Sequence, residues 1–295
     1  MMSLPTLEEL KLSFMDFADF TFELISESDK DPGRLKFAAV NSQIALELFL
    51  KYYYLKSGNS RKILKKKQNQ YIDEFKDFSQ ILNNFYSERS WSYTEKKELA
   101  RLLDVRNKIV HKGKDATNNE DIAESIVRTL FFINATAWSD LGESIFYNNY
   151  DYLKVNRGGL WRRGAESFAS SIGECHICLF CNALSAVRSE FMVLDVSNKQ
   201  DDLICLNCFS VLDLENQIRL IKCYQCEDVE YYAEAMNEQD DQLYIGKCQG
   251  CGADDPVRRC ISCEVFYHPS SEEKKFKGLF FCSEGCFECS KWAKS

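Results

Sequence analysis

Residues 175–181 have the sequence CHICLFC, and with them the cysteines of this 295-residue chain begin. The chain has fourteen cysteines, none before Cys175 and none after Cys289. The N-terminus lacks the basic and then apolar pattern of a secretion signal, so a reducing cytoplasm is expected. Cysteine pairs in that compartment indicate metal binding rather than disulfides. The chain is long enough for two domains, and the cysteines mark the second one.

The cysteines recur as CxxC pairs, the spacing of zinc knuckles. Two pairs that are separated by about 20 residues are typical of a zinc ribbon with four thiolate ligands. This pattern occurs twice and a third cluster follows, so about three structural Zn²⁺ sites are predicted. Asn182, directly after the first knuckle, suits a left-handed turn. The predicted ligands are Cys178, Cys181, Cys205 and Cys208; Cys223, Cys226, Cys248 and Cys251; and Cys260, Cys263, Cys282 and Cys286.

Some ligand choices remain open from spacing alone. Cys175 and His176 compete at the first site, because residues 175–178 also form a CxxC pair. At the third site, His268 or Cys289 could replace one ligand. Residues 280–286, FFCSEGC, resemble the closing knuckle of MYM- or TRASH-type zinc fingers. A cross-braced pairing of the second and third clusters, or two zinc ions in a different pairing, also fits.

The predicted zinc ions have a structural role. Four thiolates fill a tetrahedral shell and leave no position for a catalytic water. Such a metal holds together a fold that is too small to build its own core. Residues 151–295 carry a net charge of −7, which disfavours a general nucleic-acid clamp and favours a protein partner or trigger on this half.

The first 150 residues show the apolar spacing of three and four residues that is typical of helices. Such stripes cover 7–24, 37–52, 72–85, 99–110 and 122–133, and the basic run 61–67 is expected in or beside a loop. Short links between long helices favour an antiparallel bundle. The expected fold class is α plus a small zinc-stabilised β part, with a helical bundle at 1–150, a linker at 151–173, zinc ribbons at 174–215 and 216–256, and a third zinc finger at 257–295.

Three polar residues interrupt one of these stripes. Arg106 lies three residues after Leu103 and four before Val110, in line with the apolar positions. Asn107 and His111 are four residues apart and share a helix face. An arginine turned towards a core is unfavourable unless it is paired or lines a cleft. The trio therefore indicates a candidate site, although a bundle-bridging arginine and a surface histidine are the simpler interpretation of an isolated pair.

With Arg106, Asn107 and His111 the helical half resembles the HEPN superfamily, a bundle of four or five helices that carries Arg-x4–6-His. Residues 37–51 also resemble the second helix of that family, including its acidic and lysine positions. The resemblance covers about residues 6–150. It implies a metal-independent endoribonuclease that acts as a homodimer, with two motifs across one cleft.

The resemblance also implies roles for the trio on an RNA substrate. His111 would be the general base or acid at the ribose 2′-hydroxyl. Arg106 would stabilise charge on the phosphate, and Asn107 would orient His111 or the phosphate. The product would carry a 2′,3′-cyclic phosphate. The family setting suggests anti-phage defence or toxin-like growth arrest, with the zinc half regulating or targeting the enzyme.

Two other functions are compatible with the sequence. One is a non-catalytic dimeric adaptor that binds a protein partner through its zinc modules. The other is a nucleic-acid-binding regulator, whose binding would be sensitive to salt. No apolar run approaches the roughly 20 residues that cross a bilayer, so no membrane association is expected.

Overall fold

The computed structural model describes residues 4–88, 118–143, 145–146, 159–188, 202–212, 218–226, 231–237 and 240–290. Within these ranges, the N-terminal half is mainly helical, and the C-terminal half contains most of the strands together with the clustered cysteines. This agrees with the α plus small β composition that the sequence predicts. None of the described helices combines the length and the apolar character that crossing a membrane requires.

Helices α1 (Leu7–Glu27) and α2 (Pro32–Lys56) begin at well-formed caps. The backbone N–H of Glu9 donates to the Thr6 hydroxyl at 3.2 Å, and the Glu9 carboxylate accepts from the Thr6 N–H at 2.7 Å. This reciprocal pair satisfies two N–H groups that the first turn leaves free. The Asp31 carboxylate caps α2 through the Gly33 N–H at 3.0 Å. The short link between them makes α1 and α2 packing neighbours.

The second predicted stripe is not the buried face of α2. Phe37, its first member, is 65 % exposed, whereas Leu46 and Phe49 are buried. The reason is that α2 packs against α1 and against a later helix, α4 (Asn119–Leu141). A helix with neighbours on more than one side buries residues outside a single stripe. Its buried apolar residues are Leu35, Ala38, Ala39, Ala45, Leu46, Phe49, Leu50, Tyr52 and Tyr54.

A β-hairpin occupies the region predicted as a basic loop and the start of the third helix. A short 3-10 helix (Ser60–Lys62) leads into β1 (Leu64–Lys67), and β2 (Gln70–Phe75) pairs with it antiparallel. Gln68 and Asn69 turn the chain at positive φ angles of 50° and 64°. Both central residues of a type I′ hairpin turn need such angles. Helix α3 therefore starts only at Phe78 and ends at Glu88.

The predicted linker contains helix α5 (Leu160–Ile172), which packs against α4. Trp161 of α5 is completely buried. The two helices approach closely at Gly164, where an added Cβ would lie 2.6 Å from the carbonyl carbon of Ala123. The glycine pair at 158–159 and the segment 167–173 suggested a linker, whereas Leu160–Ile172 is a helix with an apolar face of Leu160, Trp161, Ala165, Phe168 and Ala169.

The strands form three antiparallel sheets in the C-terminal half. The first has the order β3-β4-β5-β6, the second β11-β10-β9-β8-β7 and the third β12-β13. The five-stranded sheet extends from the predicted second ribbon into the predicted third finger. The elements are β3 (His176–Ile177), β4 (Leu184–Arg188), β5 (Leu203–Cys205), β6 (Val211–Leu212), β7 (Ile218–Ile221), β8 (Tyr231–Asn237), β9 (Asp240–Cys248), β10 (Val257–Arg259), β11 (Phe266–Tyr267), β12 (Lys274–Phe276), β13 (Leu279–Phe281) and α6 (Glu284–Cys289).

Candidate metal centres

Three groups of four cysteines lie close enough to hold one metal ion each. Within each group the four Sγ atoms lie within 4.8 Å of one another. A tetrahedral zinc ion with Zn–S bonds of about 2.3 Å holds its sulfurs about 3.8 Å apart. Two Sγ pairs in each group are separated by 3.4 to 3.7 Å. The groups are Cys178, Cys181, Cys205 and Cys208; Cys223, Cys226, Cys248 and Cys251; and Cys260, Cys263, Cys282 and Cys286. They contain the twelve cysteines that the sequence assigns as ligands.

Four of the CxxC segments share one backbone turn. The residue after the second cysteine has a positive φ of 60° to 73°, and its N–H donates to the carbonyl of the first cysteine at 2.8 to 3.0 Å. The turn directs backbone N–H groups at sulfur, as from Cys251 to Cys248 Sγ at 3.4 Å. Such bonds stabilise a thiolate. Asn182 has the left-handed geometry that the sequence predicts for it, and the other three positions are Phe209, Gly252 and Glu264.

The third group uses a helix for its last ligand. Cys282 follows β13, and Cys286 lies in the first turn of α6. The Ser283 hydroxyl accepts from the Cys286 N–H at 3.3 Å, so this N-cap sets the position of the last thiol. Cys282 Sγ and Cys286 Sγ are 3.4 Å apart.

The surroundings of the thiols favour ionisation of at least one cysteine in each group. Hydrogen bonds from Cys178, Cys205 and Cys208 lower the pKa of Cys181. Burial acts to raise the pKa of Cys223, but hydrogen bonds from the backbone of Cys226 and neighbouring groups bring it down to about 7. In the third group, burial likewise acts to raise the pKa of Cys260, and backbone N–H donors bring it down to about 7. A thiolate near neutral pH is the form that binds a metal.

The alternative ligands lie outside the three groups. Cys175 Sγ lies 3.8 Å from the Ser170 hydroxyl and 3.6 Å from the Gly173 carbonyl. His176 is a buried β3 residue whose ring faces Tyr232. The ring of His268 lies between two tyrosines, with Nε2 3.2 Å from the Lys222 carbonyl. Cys289 is exposed at the end of α6.

The first metal group is joined to the core of the helical half. Leu206, between two ligands, is completely buried in the same apolar cluster as the helices, together with Ile204 and Val187. The Phe209 ring lies 5.5 Å from that of Phe131 and 6.0 Å from that of Trp161. The sequence analysis did not predict this contact. Its signal in the sequence is Phe209, a bulky aromatic residue directly after the CxxC pair of Cys205 and Cys208.

The turn that carries Cys248 and Cys251 contacts the part of the chain that carries the first cysteine group. Gln249 lies between Cys248 and Cys251, and its side-chain amide exchanges two hydrogen bonds with the Ile177 backbone. Lys247 donates to the Asn182 side-chain oxygen at 2.9 Å. The first and second cysteine groups are therefore joined through residues that lie in or next to their CxxC turns.

The predicted catalytic residues Arg106, Asn107 and His111 lie outside the described residues. The described part of the helical half contains the acidic and lysine positions of α2. Lys51 Nζ lies 2.6 Å from the Glu47 carboxylate, and both side chains are half-buried or more. Lys51 also lies 5.0 Å from the centre of the Phe75 ring, which joins this pair to the β1–β2 hairpin.

Comparison of the chain with protein-family models, with curated proteins and with solved structures found no significant match.

Proposed function

We propose that the protein is a metal-independent endoribonuclease of the HEPN type, whose cysteine-rich half is held together by three structural zinc ions. The observation that carries the proposal is the sequence Arg106-Asn107-x3-His111, within a half whose described part is helical. This trio has the spacing of the HEPN motif. In the described part of the cysteine half, each group of four thiols would close a tetrahedral shell and leave no position for a catalytic water.

In this proposal the chemistry belongs to three side chains. His111 removes the proton from the ribose 2′-hydroxyl, whose oxygen attacks the adjacent phosphorus atom. The bond from phosphorus to the 5′-oxygen of the next nucleotide breaks, and that oxygen takes up a proton from water or from the imidazolium of His111. Arg106 stabilises the charge that develops on the phosphate oxygens with a two-pronged guanidinium contact. Asn107 orients His111 or the phosphate. The products are a 2′,3′-cyclic phosphate and a 5′-hydroxyl end, and two subunits would contribute to one cleft.

The metal in the three groups is proposed to be zinc, because thiolate sets of this size and spacing suit it. When bound, zinc would hold each pair of knuckles together and would take no part in cleavage. The biological role proposed is defence against phage or toxin-like growth arrest, with the zinc half acting in regulation or targeting.

The test is incubation of purified protein with total RNA and with tRNA, followed by analysis of the RNA ends. Wild type is expected to produce cyclic phosphate ends without added metal, and His111→Ala to produce none. Lys108→Ala changes a charged residue outside the trio and serves as the control. Equal products from wild type and His111→Ala would refute the proposal.

A non-catalytic adaptor is the second candidate, and one surface observation favours it. Ile261 and Val265 flank Cys263 and are 37 % and 56 % exposed. Exposed apolar side chains beside a candidate metal ligand suit a protein partner. An adaptor would show no cleavage, and Val265→Asp would abolish partner binding while leaving the metal content unchanged.

A further inference from the structure

The β1–β2 hairpin concentrates positive charge on an acidic protein. Residues 61–67 contain five basic residues, whereas the whole chain has a net charge of −8. Two of these cations are neutralised: Lys62 lies 2.7 Å from Glu88, and Lys65 lies 3.8 Å from Glu74. Within the described residues, Arg61, Lys66 and Lys67 form no ion pair. They are therefore available to an anionic partner.

An exposed aromatic ring lies among these free cations. Tyr71 is 41 % exposed and is directly opposite Lys66 in the hairpin register. Lys66 Nζ lies 4.8 Å from the ring centre, and the Arg61 guanidinium lies 6.0 Å from it. Cations at these distances interact with the ring and hold it in place. The result is a partly exposed aromatic ring with two cations over it.

The hairpin is firmly attached to the helical half. Its base includes the completely buried Ile63, whose carbonyl accepts from the Lys76 N–H at 2.7 Å. Asn84 of α3 donates to the Lys62 carbonyl at 2.6 Å. Phe75 lies beneath Lys51 of α2. These contacts fix the orientation of the free cations and of Tyr71 relative to the helices.

We propose that the face formed by Arg61, Lys66 and Tyr71 binds single-stranded RNA. The cations would contact phosphates, and an unpaired base would stack on Tyr71, the combination that single-strand-binding surfaces use. A lipid surface fits less well, because the turn residues Gln68 and Asn69 are polar and offer nothing apolar to insert. This proposal rests on the proposed ribonuclease function, which identifies the bound polyanion as RNA. The face would hold the substrate strand on the helical half.

The test measures binding separately from cleavage. Full-length protein carrying His111→Ala is titrated into a fluorescent 20-nucleotide oligo(U), and anisotropy is followed over a range of salt concentrations. Adding Arg61→Gln and Lys66→Gln should weaken binding and reduce the slope of log K against log salt by about 1.4, because each phosphate that a cation no longer neutralises lowers the slope by about 0.7. Tyr71→Leu should weaken binding by about fivefold or more, whereas Tyr71→Phe should not.

Two further variants separate this surface from general electrostatics. Lys274→Gln with Lys275→Gln removes the same charge from the β12–β13 hairpin and should leave the affinity unchanged. Glu74→Gln removes an acidic partner within the same hairpin and should tighten binding. Equal weakening by the Arg61–Lys66 pair and by the Lys274–Lys275 pair of substitutions would overturn the proposal, as would binding to phosphatidylserine vesicles in preference to RNA.

The two proposals fail in distinguishable ways. Hairpin-dependent RNA binding without cleavage by wild type would refute the ribonuclease function and support the binding surface. Cleavage by wild type that is unaffected by the Arg61 and Lys66 substitutions, with RNA affinity also unchanged, would refute the binding surface alone.

Discussion

The indole N–H of Trp161 donates a 2.9 Å hydrogen bond to the backbone carbonyl of Asn207, and both residues are buried. Trp161 belongs to α5, and Asn207 lies between Cys205 and Cys208 of the first cysteine group. The bond therefore joins the helical half directly to the turn that holds the first metal group. It implies that the first metal site and the helical core lose their structure together.

The first prediction concerns this bond. Trp161→Phe removes the donor, leaves the Asn207 carbonyl unsatisfied in the interior, and should lower the free energy of unfolding by about 1–3 kcal/mol. Metal should also leave the first site at a lower denaturant concentration. Chemical denaturation with a colorimetric zinc indicator measures both effects. Trp138→Phe, at an exposed position, is the control and should change stability by less than about 0.5 kcal/mol.

The second prediction compares the metal groups. Cys205→Ser should reduce zinc from about three to about two ions per chain and should also lower the helical unfolding temperature, because this group shares the helical core. Cys286→Ser should cause the same loss of zinc with little effect on the helices. Elemental analysis and circular dichroism at 222 nm make the comparison. Equal effects on the helices would contradict the shared core.

The third prediction concerns the crossing of α4 and α5. Gly164→Ala places a methyl group 2.6 Å from backbone atoms of Ala123, so the helices must separate and the protein should be destabilised by more than about 1 kcal/mol. Gly285→Ala in α6 is the matched control, since its nearest contact would be the Ser283 hydroxyl at 3.9 Å. That change should be neutral or slightly stabilising. Thermal unfolding of both variants measures the difference.

The fourth prediction concerns pH. The pKa of Cys223 and of Cys260 is lowered from the ordinary value of 9.0 to about 7, so both thiols are largely ionised above neutrality. Protons compete with metal for the thiolates, and zinc affinity should therefore decrease as the pH falls through 7. The second and third groups should release zinc before the first, whose four cysteines are all buried. Zinc release measured between pH 8 and pH 5 tests the order, and earlier release from the first group would contradict it.

The cysteine groups were predictable because their determinants are local. Each CxxC pair forms its own turn, and the distance between pairs limits the possible partners. The asparagine at position 182 also indicated correctly which residue of the first turn has a positive φ angle. The attachment of the first group to the helices was not predictable in this way, because the contacts of Trp161 with Asn207 and Phe209 join residues far apart in sequence.

The helical half was predicted less accurately, for two physical reasons. The prediction of an apolar stripe beginning at Phe37 assumed that α2 has one buried face, but this helix has neighbours on more than one side. The stripe at 72–85 joined two strand residues, Ile72 and Phe75, to the true helix that starts at Phe78. Over so short a segment, a strand and a helix can have the same apolar positions. The turn at Gln68 and Asn69 pairs residues 70–75 with β1 and so makes them a strand.

The central claim is tested most directly by identifying the RNA ends that the purified protein produces. After incubation with tRNA in the presence of a chelator too weak to strip thiolate-bound zinc, wild type should leave 2′,3′-cyclic phosphates and 5′-hydroxyls. Intact tRNA after exposure to folded, zinc-loaded wild type, or cyclic phosphates generated equally well by His111→Ala, would contradict the account.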